Sequence, residues 1–139
     1  MGLDAAVFRS VRNLERLVGH GLFDVDQNTG EAMPKPGAQV RLPDGAYVAA
    51  ERRLGNLAQI GHLRGIVAGL MPADSLLMGR VMYSGSHCGD CIELAEIPEL
   101  RREIRALWTH GGPDVKELAE SMEPLASAAE AEQNPIVFT

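Results

Sequence analysis

Reactive residue types are concentrated in one short segment, residues 84–91, which reads SGSHCGDC. Its reactive side chains lie between glycines, and it follows a mostly apolar run that is typical of a strand inside a sheet. Loops of this kind often carry functional sites because the scaffold below holds them in place. The segment is therefore the first candidate for chemistry, and its reactive members are Ser86, His87, Cys88, Asp90 and Cys91.

Zinc binding is the first chemistry to consider. His87, Cys88 and Cys91 include a Cys-x-x-Cys pair, and thiolate and imidazole groups are the usual protein ligands of zinc. A structural site needs four ligands, however, and the adjacent His87 and Cys88 are awkward together on one tetrahedral ion. His62 and His110 lie elsewhere without a recognisable ligand spacing. We therefore expect no metal and no cofactor, with zinc on His87, Cys88 and Cys91 as the alternative.

Thiol redox chemistry and nucleophilic catalysis are two further interpretations. Cys-Gly-Asp-Cys superficially resembles the thioredoxin motif, but redox pairs place the first cysteine at a helix N-terminus, and the next predicted helix begins only near Glu96. Ser86 or Cys88 has a histidine beside it, yet neighbouring side chains usually point apart. We expect the loop to serve architecture and to hold no catalytic residue. The alternative is a small metal- or thiol-dependent enzyme that uses His87, Cys88, Asp90 and Cys91.

The longest run without a proline or a turn cluster is Ala46–Met71, and it predicts a central helix. Apolar residues recur along it at steps of three and four. Gly61, Gly65 and Gly69 stand four apart, and each costs roughly 1 kcal/mol against alanine in a helix interior. We expect this glycine ridge to allow close backbone approach by a sheet or another helix. A homodimer face is the alternative.

The remaining elements are expected around that helix. Strands are predicted at Leu3–Arg9, at Ser75–Tyr83 and in the C-terminal segment Asn134–Phe138, where the last strand would lie beside the first. Leu22–Met33 predicts a hairpin with an Asn-Thr-Gly tip. Glu96–Trp108 predicts an amphipathic helix. The fold class is therefore a single α+β domain over residues 1–139, with a mixed or antiparallel sheet of five to six strands, about three helices and a long central helix at 46–71.

Composition limits the classes of partner. The 139 residues are 45% hydrophobic and carry a formal net charge of −6, so a core of useful size can form. Arginines are interleaved with glutamates, whereas nucleic-acid binding relies on clustered basic residues. No apolar run reaches the length of a membrane span, and no signal peptide is recognisable. We therefore expect no nucleic-acid partner, no membrane and a cytoplasmic location.

Short patches along the whole chain resemble a group of small bacterial proteins, some of which are immunity proteins of polymorphic-toxin and contact-dependent systems. The patches are MGLDAAVF, FDVDQNTGE, RRLGNLAQI, SGSHCGD followed by IPELRREI, and NPIVF. The resemblance implies an α+β protein that binds and neutralises a cognate toxin without catalysis. In similar proteins the loop lacks the Cys88 and Cys91 pair, which keeps the metal alternative open.

An immunity-type function implies a protein partner, and an acidic chain suits a basic toxin domain because opposite charges speed association. The surface that we predict for this partner combines acids of the hairpin with acids that follow the reactive loop. These six residues are Asp24, Asp26, Glu31, Asp90, Glu93 and Glu96.

Overall fold

The computed structural model describes residues 2–82 and 90–139, and all of its paired strands are antiparallel. Four strands pair in the order β4-β1-β6-β5, and two further strands form a separate hairpin sheet. An α+β fold with antiparallel sheets is thus confirmed. The single sheet of five to six strands is wrong, because the described strands divide into sheets of four and two. The strands are β1 (Gly2–Phe8), β2 (Phe23–Val25), β3 (Ala32–Pro34), β4 (Val48–Asn56), β5 (Cys91–Ile92) and β6 (Ile136–Phe138).

The first strand lies inside the main sheet and alternates between its two faces. Leu3, Ala5 and Val7 are buried against the helices, while Asp4 and Ala6 on the opposite face are partly exposed. β1 pairs with β4 on one side and with β6 on the other, both antiparallel. The predicted strand at the start of the chain is confirmed, and so is its pairing with the last strand.

Three of the four described helices share the core on the buried face of this sheet. Helix α3 contributes Ile97, Leu100, Ile104 and Leu107 to the core, at the three- and four-residue spacing that predicted an amphipathic helix. The helices are α1 (Val11–Val18), α2 (Leu57–Leu70), α3 (Ile97–His110) and α4 (Pro113–Glu132), with a 3₁₀ turn at Leu94–Glu96 before α3. In the described part of the chain, no helix has both the length and the apolar character that a membrane crossing requires.

The predicted central helix at 46–71 is wrong in its first half. Residues 48–56 form β4, the longest strand, and helix α2 begins only at Leu57. Asn56 ends the strand and caps the helix. Its side-chain oxygen accepts the backbone N–H of Gln59, and Gln59 Oε1 accepts the backbone N–H of Asn56. Pairing with β1 therefore overrides the helix propensity of the Ala-Ala-Glu-Arg-Arg stretch.

The glycine ridge does not provide close approach within the chain. Gly61, Gly65 and Gly69 are exposed on α2, and a Cβ built at any of them meets no atom within 4 Å among the described residues. The helix instead packs through Ile60, Leu63 and Val67, a narrower apolar face than the sequence indicated.

The predicted strand Ser75–Tyr83 is also wrong where it is described, since Leu77–Val81 forms a π-helical turn. Met82 N donates to Leu77 O at 2.7 Å, and a hydrogen bond between residues five apart is characteristic of a π-helix. The N-terminus of this turn is held by Glu103 of α3, whose two carboxylate oxygens accept the N–H groups of Leu76 and Leu77 at 3.0 and 2.9 Å. Tyr83 lies outside the described residues.

A smaller unit covers one end of the main sheet. Helix α1 and the β2–β3 hairpin enclose their own cluster around Leu14, Phe23 and Ala32. The hairpin predicted at Leu22–Met33 is confirmed. Glu132, at the end of α4, connects the two parts because its carboxylate accepts the Ser10 N–H and the side-chain amide of Asn13.

Replacing each ridge glycine by alanine should stabilise the protein. Gly61→Ala, Gly65→Ala and Gly69→Ala each place a methyl group in open space and restrict the unfolded chain, so the free energy of unfolding should rise by about 0.5–1 kcal/mol per site. Urea denaturation measures the change. Gly30→Ala is the matched control and should destabilise, because Gly30 has φ +76° and its Cβ would lie 2.2 Å from Asn134 Oδ1. Destabilisation by the three ridge variants would show that the glycines contact a second molecule.

Removing the Glu103 carboxylate should destabilise the π-helical turn. Glu103→Ala leaves the buried N–H of Leu77 and the partly buried N–H of Leu76 without an acceptor, which costs about 2–4 kcal/mol of unfolding free energy, and Glu103→Gln keeps one acceptor and should cost less. Glu99→Ala, an exposed site one turn away, should change stability by no more than about 0.5 kcal/mol.

The same carboxyl group gives a pH dependence. Burial raises the pKa of Glu103, and this effect outweighs the two backbone hydrogen bonds that lower it. The folded state therefore binds this proton more tightly than the unfolded state. The free energy of unfolding should fall as pH rises from the ordinary carboxyl pKa to the raised one, and Glu103→Gln should remove this component. An identical pH profile for wild type and Glu103→Gln would contradict the assignment.

Candidate functional site

The reactive loop lies largely outside the described residues, which stop at Met82 and resume at Asp90. Ser86, His87 and Cys88 are therefore not placed, and the zinc, redox and nucleophile interpretations that need them stay predictions. In the described part of the chain, no group of three or more His, Cys, Asp or Glu side chains could hold a metal ion. His62, a remote histidine, instead lies 3.1 Å from Asp114 through its Nε2 atom.

Cys91 is the one reactive cysteine that the structure describes, and its surroundings disfavour a thiolate. It lies in β5 rather than at a helix N-terminus, and its Sγ donates to Glu93 Oε1 at 3.1 Å. Burial, and then the hydrogen bond and negative charge of Glu93, raise the pKa of the thiol to about 11. At neutral pH Cys91 is thus protonated and is not an activated nucleophile.

Glu93 and Glu96, two of the acids predicted to bind a partner, are engaged in local structure. Glu93 N donates to Glu96 Oε1 at 3.0 Å, and the two residues form a reciprocal capping box around the 3₁₀ turn. Arg80 forms an ion pair with Glu96 and also donates to the Cys91 carbonyl at 3.1 Å. Burial raises the pKa of Glu96, but the combined hydrogen bonds and charge of Arg80 and the Glu93 N–H lower it overall. The carboxylates of Glu93 and Glu96 therefore hold the chain entering α3.

Asp90, the third acid of this group, is partly buried at the start of β5. Its carbonyl accepts the Phe138 N–H at 2.9 Å, which extends the β5–β6 pairing by one residue. The described backbone of Asp90 thus belongs to the sheet.

The hairpin acids divide into one structural residue and two exposed ones. Asp26 shapes the turn, because its Oδ1 accepts the N–H groups of Asn28 and Thr29 at 2.8 and 3.0 Å. These two backbone hydrogen bonds lower the pKa of Asp26, and the bond from Asn28 has the larger effect. Asp24 and Glu31 are exposed.

The hairpin register brings these acids together with an apolar side chain that sequence reasoning missed. Asp24 lies directly opposite Met33, and Asp26 N donates to Glu31 O at 2.9 Å, so the four residues share one face of the hairpin. Phe23 lies on the other face and is buried. Met33 is 46% exposed although it is a large apolar residue. We name Asp24, Glu31 and Met33 the hairpin face.

The hairpin face is held on a fixed support. Asn134 Nδ2 donates to the carbonyl of Phe8 at 2.8 Å and to that of Gly30 at 3.5 Å, which ties the hairpin turn to the end of β1. Gly30 is needed there because Asn134 fills the space of a side chain. The alternation of polar and apolar residues along FDVD and EAM was the signal in the sequence for a solvent-facing side of the hairpin. The exposure of Met33 was not predictable in this way, because it depends on α1 covering only the face that carries Phe23.

A polar recess lies between β4, α2 and α4, away from the hairpin face. It encloses about 150 Å³, and its walls include Arg53, His62, Asp114, Glu117 and Ser121. The side chains of His62 and Asp114 are both 63% exposed, so the contact between them is weakened by solvent. This recess has the polar groups of a binding site but no buried reactive group.

The comparisons with known proteins give no relative. No protein-family model, no curated protein and no solved structure matches this chain.

The Cys91 thiol should titrate far above the ordinary cysteine range. In a Cys88→Ser background, the rate of alkylation by iodoacetamide should stay low at neutral pH and rise with a midpoint at about 11. Glu93→Gln removes the negative charge beside Sγ, so the midpoint should move to lower pH while the capping oxygen is kept. Cys91→Ser in the same background is the control for reaction elsewhere. A midpoint near or below the ordinary cysteine value would contradict the described environment.

Proposed function

We propose that this chain is a non-enzymatic protein-binding module of the immunity or antitoxin type, which binds and neutralises a bacterial toxin in the cytoplasm. The observation that carries the proposal is the hairpin face, where an exposed methionine lies beside two exposed acids on a hairpin that Asn134 ties to the end of β1. An apolar centre with a charged border is the usual composition of a protein interface. The toxin class itself rests on the sequence resemblance.

The charge of this face indicates the chemistry of the partner. Asp24 and Glu31 are part of a chain whose net charge is −6, so a basic toxin domain would be attracted at long range and would then contact Met33. Met33 is flexible and polarizable, which suits an interface that must fit an irregular surface.

The structure also supports a choice between the two groups of predicted acids. Glu93 and Glu96 already bond to Cys91, Arg80 and the backbone, and a partner would have to break those interactions. Asp24 and Glu31 have exposed side chains. We therefore assign the primary contact to the hairpin face and not to the acids after the reactive loop.

Charge reversal on the hairpin face should weaken toxin binding. The probe is the C-terminal domain of a toxin encoded beside this gene, and binding is measured by co-purification and titration calorimetry. Asp24→Lys with Glu31→Lys should weaken the affinity at least about tenfold, with the loss largest at low salt, because both the attraction and the charged border are removed. Met33→Ala should weaken it without changing the salt dependence.

The matched control reverses two exposed acids elsewhere, with Asp44→Lys and Glu120→Lys giving the same change in net charge. This control should retain near wild-type affinity. Equal losses in both double variants would show that only the total charge matters, and the assignment to the hairpin face would then be wrong. Failure of the wild-type chain to bind or neutralise the neighbouring toxin would contradict the immunity function itself.

A further inference from the structure

The two edges of the four-stranded sheet differ. At one edge, β5 is only two residues long, and Arg80 donates to its Cys91 carbonyl. At the other edge, β4 is nine residues long, and among the described strands it pairs only with β1. Its middle residues Glu51, Arg52 and Arg53 are exposed. A long edge strand with unpaired backbone groups is a ready template for another strand.

The hydrogen-bond pattern identifies which backbone groups of β4 face outward. Asp4 and Thr139 exchange both N–H to O bonds at 3.0 Å, so the backbone groups of Asp4 point away from β4. Because direction alternates along a strand, those of Ala5 point toward β4, where Ala5 pairs with Arg52. Arg52 therefore faces β1, and its neighbours Glu51 and Arg53 direct their N–H and C=O groups to the free edge.

The side chains of these two outward residues lie on the open face of the sheet. Glu51 is opposite Ala6 and Arg53 is opposite Asp4, and both β1 residues are on the face away from the helices. Arg53 Nη1 lies 3.2 Å from Asp4 Oδ2, which confirms this placement. The free edge thus presents an acid and a base two residues apart on one face.

We propose that β4 pairs with β4 of a second copy of this chain, antiparallel and centred on Arg52, so that two four-stranded sheets become one continuous sheet. In this register each Glu51 lies opposite the second copy's Arg53, and the two-fold axis produces this pair twice. The outward backbone groups of both residues then exchange hydrogen bonds across the axis. The strand is therefore complementary to itself in both charge and hydrogen bonding.

Arg52 opposes this association. Its Nη1 donates to the Glu51 carbonyl at 2.7 Å, so in the single chain it occupies one of the outward acceptors. In the dimer the two Arg52 side chains also face each other across the axis, and like charges directly opposite are unfavourable. Arg52 thus limits the strength of an otherwise matched edge, in the way that charged residues protect edge strands.

A charge-exchange experiment tests the register. Sedimentation velocity should show a reversible dimer of the wild-type chain. Glu51→Arg alone and Arg53→Glu alone each place like charges opposite one another twice, and each should weaken dimerisation roughly tenfold. An equimolar mixture of the two variants restores opposite charges at both positions and should form the heterodimer. Arg52→Thr should strengthen the wild-type dimer.

Two results would overturn the proposal. One is a wild-type chain that remains monomeric at millimolar concentration. The other is dimerisation that the single variants leave unchanged, which would place the interface elsewhere. Thermal unfolding of each variant confirms that it is folded, and Arg53→Gln replaces Arg53→Glu in the single-variant comparison if repulsion from Asp4 unfolds the latter.

Hydrogen exchange of the wild-type chain gives a second test that needs no variant. The amides of Glu51 and Arg53 should exchange more slowly as protein concentration rises, because dimerisation covers them. The amides of Ala50 and Arg52 already face β1 and should be protected at every concentration. Concentration-independent exchange at Glu51 and Arg53 would contradict pairing through this edge.

Discussion

The double pairing of β1 is the constraint on which the rest of the structure depends. Its partners β4 and β6 come from distant parts of the sequence, so the main sheet forms only when both chain ends and the middle meet. The side chains of β1 alternate between the two faces of the main sheet, and Leu3, Ala5 and Val7 point toward the helices. Because Asp4 bonds to Thr139, the same strand also sets which backbone groups of β4 are left at the free edge.

Two buried carboxylates extend this frame to segments without regular pairing. Glu103 binds the amides at the start of the π-helical turn, and Glu132 binds Ser10 N and the Asn13 side chain. Each is on a helix that packs against the sheet, and each satisfies donors that burial would otherwise leave unpaired. Glu132 acts across 122 residues of sequence, so it positions the hairpin unit relative to the sheet. The outward side of the hairpin takes no part in these contacts.

Local patterns predicted the elements whose formation depends on nearby residues. The apolar face of α3 and the hairpin are of this kind. Residues 46–56 were mispredicted as helix because pairing with β1 makes residues 48–56 a strand, although alanine, glutamate and arginine favour a helix on their own. The Asn56-x-x-Gln59 capping box was the readable sign of the boundary. The strand prediction for residues 75–81 was wrong for another reason. A short apolar run fits a strand and a buried helix equally, and the carboxylate that holds this turn belongs to Glu103, 26 residues further along the chain.

The candidate surfaces show the same division between local and distant causes. Exposed acids in a hairpin can be expected from its alternation, and Asp24 and Glu31 are exposed. No pattern in the sequence indicated that Arg80 would neutralise Glu96 or that Glu93 would bond to Cys91. Those contacts assign Glu93 and Glu96 to local structure, whereas the exposed side chains of Asp24 and Glu31 make no such contact among the described residues. A residue without an internal role can contact a partner without loss of stability, and the exposed side chains of the hairpin face meet this condition among the described residues.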